Sequence, residues 1–359
     1  MKVCIIGSSL SALTLAKALV NQNIFVDIFS LNKNYKPNKS RTIGISKSNI
    51  DYFNREIINM EKIIWKLNKI QIYSDNLINE KILNFENNND QLFSIIKNFQ
   101  IYEILNKSLS KNKFCSKIKS KKKLKNLEAY DLIIDTDFKS FFTKKFFSKK
   151  IVKVYDSLAY TTILDHESIP NNIAIQIFTK KGPLAFLPIS NNKTSVVYSI
   201  YNSKNNKKKD DIKKLIQHYN SKYKIKTIQR IESFELRSLN LRSYYHENIL
   251  AFGDLLHRIH PLAGQGFNMT IRDLKVFIDI IKQKINLGLP LDSSVNKEFE
   301  KKVRHKNYIF SNSIDLIQEF FNFERKISSN ILSRSVQLIG KNTSLKKMIT
   351  NIADKGINF

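Results

Sequence analysis

One run, Gly253-Asp254-Leu255-Leu256-His257-Arg258-Ile259-His260-Pro261-Leu262-Ala263-Gly264-Gln265-Gly266-Phe267-Asn268, constrains the fold of this chain more than any other stretch. It follows a short apolar run, Ile249-Leu250-Ala251-Phe252, that reads as a buried strand. It leads into residues 269–284, where Met269, Ile271, Leu274, Phe277, Ile278 and Ile281 recur at helical spacing. A strand therefore runs out into a loop carrying a Gly-Asp pair, two histidines, a proline and Gly-Gln-Gly, and a helix starts there. Gly264 and Gly266 leave backbone N–H groups bare at that helix N-terminus, where partial positive charge favours an anion or a polarised carbonyl. Asp254, just past a strand end, stands where α/β proteins bind ligands.

The N-terminus carries a second unit of this kind. Residues 2–6 form an apolar strand, Gly7-Ser8-Ser9-Leu10-Ser11-Ala12 turns into a helical pattern, and Ile24 to Phe29 returns as a strand. Strand, Gly-rich turn, helix and strand within about thirty residues make a dinucleotide-binding unit. Its fingerprint is Gly-x-Gly-x-x-Gly/Ala; Gly7 and Ala12 fit, and Ser9 replaces the glycine that lets a pyrophosphate approach the backbone. Ser30 stands where an acid normally meets the ribose.

Between these units lie strand patterns at residues 63–89, a helix expected from Leu92 to Leu109, and an acidic strand exit, Asp135-Thr136-Asp137-Phe138-Lys139-Ser140. Strand-like runs at Val152–Leu164, Ile173–Phe178, Leu184–Ile189, Ser195–Tyr201 and Arg230–Leu236 imply a large, mostly antiparallel sheet. Helical patterns cover Ile212–Tyr223, Lys297–Phe323 and Ile327–Ile352.

The run at 253–268 resembles the third flavin-binding motif of the class A aromatic hydroxylases, most closely the ubiquinone-biosynthesis hydroxylase branch with its Gly-Asp-x-x-His-x-x-His-Pro-x-Ala-Gly-Gln-Gly-x-Asn pattern. Gly182-Pro183-Leu184-Ala185-Phe186-Leu187-Pro188 is similar to the Gly-Pro-x-Ala-x-Leu-Pro segment of that branch. Arg41 and Ser46 resemble its Arg-x-x-x-x-Ser segment, and Phe299-Glu300 with Arg304, then Phe320-Phe321, resemble its later helix. Asp137 and Ser140 match its second motif, with Phe138 in place of the glycine.

The resemblance implies an α/β fold: a Rossmann-like FAD-binding domain of the aromatic hydroxylase type, a mostly antiparallel β-sheet substrate domain, and C-terminal helices. Residues 1–62, 90–150 and 247–285 would form the discontinuous FAD domain, 63–89 and 151–246 the substrate sheet, and 286–359 the helical region. It implies FAD contacts from Gly7, Ser9, Ala12, Arg41, Asp137, Gly253, Asp254, Pro261, Gly264, Gln265, Gly266, Phe267 and Asn268. Asp254 would meet the ribityl chain, and the loop from Pro261 to Asn268 the isoalloxazine. The implied reaction is hydroxylation of a polyprenylated phenol by O2 through a flavin C4a-hydroperoxide, with NAD(P)H or another electron donor. No catalytic residue is assigned: a histidine in a tight loop, as at 257 or 260, commonly stabilises that loop by hydrogen bonds.

Ser9, Ser30 and Phe138 keep an alternative in view, a degenerate flavoprotein acting as a binding or scaffold subunit of a quinone-biosynthesis complex. A related flavoprotein reductase or halogenase shares the fold but carries other chemistry. Net charge is +29, from 60 Lys and Arg against 31 Asp and Glu. The lysines are dispersed among Asn and Ile without a nucleic-acid motif, so nucleic acid is not an expected partner. Cys4 and Cys115 form no metal spacing, and no metal is expected. No signal peptide or spanning segment is read, so a cytoplasmic protein is expected, docked peripherally on the membrane through basic charge and an amphipathic tail from Ser344 to Phe359. Other quinone-biosynthesis proteins are the expected protein partners.

Overall fold

The computed structural model describes residues 1–30, 37–75, 77, 80–86, 91–118, 127–201, 209–260, 264–326 and 331–356. Pro261, from the flavin-loop expectation, and the lysine run at 119–125 lie outside the described residues.

The chain begins β1 (Lys2–Ile6), α1 (Leu10–Val20), β2 (Phe25–Phe29), β3 (Thr42–Ser46), α2 (Lys47–Glu56), β4 (Trp65–Leu67), β5 (Lys69–Ser74) and β6 (Lys81–Glu86). It continues with β7 (Phe93–Lys97), α3 (Asn98–Ser110), β8 (Cys115–Ile118), β9 (Leu132–Asp135), α4 (Phe141–Phe146), β10 (Lys150–His166) and β11 (Ile173–Thr179). Next come β12 (Gly182–Ser190), β13 (Lys193–Tyr201), α5 (Lys209–Tyr219), β14 (Ile225–Ile228), β15 (Glu232–Leu241), β16 (Tyr245–His246), β17 (Ile249–Ala251) and β18 (His257–Arg258). Four helices close the chain: α6 (Gln265–Asn286), α7 (Ser293–Lys326), α8 (Ile331–Lys341) and α9 (Thr343–Lys355).

The first sheet has the order β16-β17-β9-β1-β2-β8 and is parallel except at β16. Its central strands β1, β9 and β17 are largely apolar and buried, as in a sheet covered on both faces. In α1 every residue except Lys17 is buried, as expected of a helix packed between layers. Leu13, Leu15, Ala16, Ile5, Phe252, Phe277 and Phe299 belong to its core.

The second sheet runs β18-β15-β10-β13-β12-β11-β5-β6, with β14 on β10, and is antiparallel except where β11 meets β5. Its core joins Leu184, Phe186, Val196 and Tyr198 to Ile212 and Ile216 of α5. Both prolines of β12 sit where a ladder tolerates a missing donor. Pro183 is the second residue of the strand, and Pro188 immediately precedes a register shift.

The helix expected from Leu92 begins only at Asn98. Phe93–Lys97 is instead the central strand of a small sheet, β3-β7-β4. A five-residue apolar run preceding a helical pattern carries no periodicity of its own, and pairing with β3 and β4 decides its state. The expected C-terminal helix is two helices, broken at Asn342, whose side chain caps α9 by accepting from the N–H groups of Ser344 and Leu345.

Candidate functional site at the carboxyl ends of the parallel strands

The ends of β1, β9 and β17 meet. Thr136 donates its N–H to the Ile6 carbonyl at 2.9 Å, and Phe252 donates to the Asp135 carbonyl at 2.8 Å. Gly7 lies at this junction with φ +122°, and a Cβ there would stand 2.2 Å from Thr136 Oγ1. Gly253 follows β17 with φ +68°, and its added Cβ would meet the Ser11 Cβ at 2.7 Å. Gly264 has φ +64° and backs onto Gly44 of β3, whose N would stand 3.2 Å from an added Cβ. Three glycines on separate elements are thus held in left-handed conformations where side chains are strained and crowded.

Ser9 occupies the second fingerprint position at φ −70°, so that backbone does not require glycine. Its Oγ accepts the Ala12 N–H at 3.3 Å and caps α1. Ser30 Oγ donates to Ser8 Oγ at 3.1 Å, joining the end of β2 to the fingerprint turn. Phe138 is not among the positive-φ residues. Its ring is half-buried beneath the Arg258 guanidinium, 4.6 Å away. The three departures from the flavin motifs are therefore accommodated without backbone strain at 9 or 138.

Asp137 is half-buried, and its carboxylate accepts the Lys139 N–H at 2.8 Å in a local turn. The neighbouring Asp135 is the buried hub. It accepts from Ser140 Oγ, from Thr143 Oγ1 at 2.8 Å and from the Asp137 N–H at 3.0 Å, while Ser140 caps α4. Burial raises its pKa above the usual carboxylate range, and those three hydrogen bonds oppose the shift. An acid inside an apolar strand, followed by Ser and Thr, was the sequence signal for this hub.

Asp254 is exposed and makes no hydrogen bond to the described residues. Arg41 is also exposed; among the described residues its backbone carbonyl accepts the Asn98 N–H at 3.0 Å and its guanidinium has no partner. The N-terminus of α6 has no side-chain cap, which leaves first-turn N–H groups for a ligand. Gln265 is buried and accepts from Arg272 at 3.3 Å. Phe267 packs at 6.5 Å from Phe53.

Asn268 has its side chain fully committed. Its Oδ1 accepts from the Ser46 N–H at 3.0 Å and from Asn49 at 2.9 Å, and its Nδ2 donates to the carbonyls of Gly44 at 3.0 Å and Gly264 at 3.3 Å. It stitches the loop to β3. The end of α9 reinforces that seam: the Asp354 carbonyl accepts from Ser46 Oγ and Ser48 Oγ, each at 3.0 Å, and its carboxylate accepts the Ser48 N–H.

His257 and Asp273, both buried, are joined by Nε2 and Oδ2 at 2.6 Å, and Asn307 of α7 donates to Oδ1 at 2.9 Å. This chain fixes the strand end on α6 and α7, and with it the foot of the loop. An acid on the apolar face of α6 between Met269 and Leu274 was its only sequence trace. His260 behaves differently: it is buried, and neither ring nitrogen has a hydrogen-bond partner among the described residues.

The described residues fit FAD. Left-handed Gly7 and Gly253, the N-terminus of α1 and the exposed Asp254 carboxylate lie at the ends of parallel strands, where this fold binds a dinucleotide, and the uncapped N-terminus of α6 lies against β3 at Gly44.

Residues 133–283 match the family model described as FAD binding domain. The chain is 29% identical over 161 residues to the 3-demethoxyubiquinol 3-hydroxylase of Escherichia coli, covering 43% of this chain and 41% of that one. It is 23% identical over 299 residues to a ubiquinone biosynthesis monooxygenase of Drosophila melanogaster, covering 68% of this chain and 62% of the relative. The aligned parts thus span less than two thirds of these relatives' lengths. Among solved structures, the p-nitrophenol 4-monooxygenase of Pseudomonas putida superposes with TM-score 0.78 at 11% identity, covering 99% of this chain and 98% of that one. Klebsiella pneumoniae HpxO, complexed with FAD and uric acid, gives 0.75 at 11% identity, covering 99% and 96%. The architecture is that of the FAD-dependent aromatic hydroxylases.

Proposed function

We propose that this chain, a relative of the FAD-dependent hydroxylases of ubiquinone biosynthesis, hydroxylates the aromatic ring of a polyprenylated phenol with O2. One observation carries the reading: α6 starts uncapped against Gly44 of β3, and Asp254, just past β17, is exposed with its carboxylate unpaired among the described residues. Bound FAD supplies the redox centre; the protein supplies placement, electrostatics and dryness.

Gly7, Ser9 and Ala12 would seat the pyrophosphate on the N-terminus of α1, and Asp254 would accept from the ribityl hydroxyls. The first turn of α6, from Gly264 through Gly266, would turn N–H groups toward the ring and hold negative charge there. Asn268 and the His257–Asp273–Asn307 chain keep that turn in place. Ile259, Met269, Phe178, Phe310 and Ile314 form an apolar cluster beside the loop that excludes water. In the balanced reaction one oxygen atom becomes the new ring hydroxyl and the other leaves as water. The two electrons come from NAD(P)H or another donor. Incubating the reduced holoprotein with a short-chain prenylated phenol and isotopically labelled O2 tests this. The label is expected in the product ring; consumption of the donor with unlabelled, unchanged phenol would contradict the proposal.

A substrate with a prenyl tail resides in a bilayer. No helix of the described residues is long and apolar enough to cross one. Contact with the membrane is therefore proposed to be peripheral. Of the tail stripe, Ile352 packs inward on the cluster around Met269, whereas Leu345 and Met348 stay exposed, as do Leu338 and Ile339 of α8, with Lys346 and Lys347 next in sequence. In a flotation assay the chain is expected to rise with anionic vesicles. The combined variant Leu338→Asp, Leu345→Asp, Met348→Asp is expected to partition at least about tenfold less. Equal flotation of the variant would remove this face from the account.

A further inference from the structure

His260 is set apart from the other buried histidines. His257 uses Nε2 on Asp273, and His166 uses both nitrogens, Nδ1 with the Glu167 carbonyl at 2.7 Å and Nε2 with Thr194 Oγ1 at 3.0 Å. His260 is 1% exposed, yet among the described residues neither of its ring nitrogens has a partner. A buried polar atom left without a hydrogen-bond partner costs stability. A histidine kept there at that cost is a histidine waiting for a ligand.

Its surroundings say which side the ligand comes from. The imidazole stands edge-on to Tyr155 of β10, with ring centroids 5.3 Å apart and planes at 88°. Tyr155 does not serve the imidazole: its hydroxyl donates to Asp315, whose other oxygen accepts Ser238 Oγ at 3.3 Å. The neighbouring Ile259 belongs to the apolar cluster of Phe178, Met269, Phe310 and Ile314. His260 thus faces the antiparallel sheet rather than the dinucleotide sheet. Burial also lowers its pKa to about 3, so the ring is neutral at physiological pH and offers one donor and one acceptor. A neutral imidazole in apolar surroundings suits a neutral hydroxyl that can donate to it; it gives a carboxylate no charge to pair with.

We propose that His260 is the polar contact for the ring hydroxyl of the phenolic substrate, accepting its proton in a hydrogen bond and so fixing which ring edge faces the cofactor. This rests on the hydroxylase reading above. The contact supplies specificity as well as position, because a site built to hydrogen-bond a hydroxyl rejects the analogue lacking it by leaving its own nitrogen unpaired.

The test compares binding of a short-chain prenylated phenol and its methyl ether to the FAD-loaded protein, read from perturbation of the flavin spectrum. Wild type is expected to prefer the phenol by about tenfold or more. His260→Phe is expected to lose that preference while binding FAD with unchanged affinity, and His260→Gln to recover part of it through its amide. Circular dichroism and FAD content establish that each variant is folded, and the glutamine variant retains the test if phenylalanine does not fit. An undiminished preference in folded His260→Phe or His260→Gln overturns the inference, as does a fall in FAD affinity in those variants, which would assign the nitrogen to the cofactor. A wild type that binds neither compound sinks the hydroxylase reading itself, an outcome seen before any variant is made.

Discussion

Gly7→Ala is expected to give a chain that is purified without FAD and melts well below wild type. The added Cβ would lie 2.2 Å from Thr136 Oγ1, at a φ of +122° that L side chains rarely adopt. Thr136 cannot step aside freely, since its hydroxyl donates to the Ile6 carbonyl at 2.9 Å and its N–H to the same oxygen. Backbone strain and overpacking together cost about 2–5 kcal/mol, much of a domain's net stability. Gly266→Ala is the informative comparison. Gly266 lies inside α6 with an ordinary φ, and among the described residues its Cβ would meet only Ile259 Cγ1 at 3.9 Å. That variant is expected to melt at or above wild type, so any loss of FAD in it reports the approach of the cofactor and not a failing fold. Thermal melts with FAD content measured on the same samples decide both; a Gly7→Ala protein with wild-type stability and flavin would contradict the account.

Asp273→Ala is the second large effect. It removes the one partner of His257 Nε2 and the acceptor for Asn307 Nδ2, in a region where His257 and Asp273 are each at most 2% exposed. Breaking a buried pair from one side costs about 3–5 kcal/mol, because the remaining groups stay buried without partners. The loss is expected in denaturant unfolding as a lower midpoint with an unchanged slope. Asp273→Asn, which keeps the shape and one acceptor, is expected to lose clearly less. Equal stability of Asp273→Ala and wild type would show that the strand end is held some other way.

The parts of the fold most legible in the sequence were those with a local signature. The apolar β1 run, the turn from Gly7 to Ala12 and the run from Gly253 to Asn268 each announce strand, turn and helix through residues close in sequence, and the large antiparallel sheet shows in its period of two. What escaped was decided by distant partners. Phe93–Lys97 is a strand because β3 and β4 flank it, and nothing within it distinguishes a short apolar run from the first turn of a helix. Site geometry escaped similarly. The close approach of Gly264 to Gly44 joins positions 220 residues apart. The Asn268 knot and the docking of Asp354 on Ser48 likewise depend on tertiary neighbours that no spacing rule reports. His260 departs most from expectation. A loop histidine suggests internal hydrogen bonds, and only the folded environment reveals that its ring makes none among the described residues.

The proposed site would hold one FAD across the ends of β1, β9 and β17, with Asp254 meeting the ribityl chain and the first turn of α6 meeting the ring. Titration of flavin-free protein with FAD, followed by quenching of flavin fluorescence, tests this most directly. The account predicts saturation at one FAD per chain. Asp254→Ala, at an exposed position where the fold loses nothing, is predicted to weaken binding by about tenfold or more, the worth of a charge-assisted hydrogen bond. No saturable binding, or binding indifferent to Asp254→Ala, would contradict it.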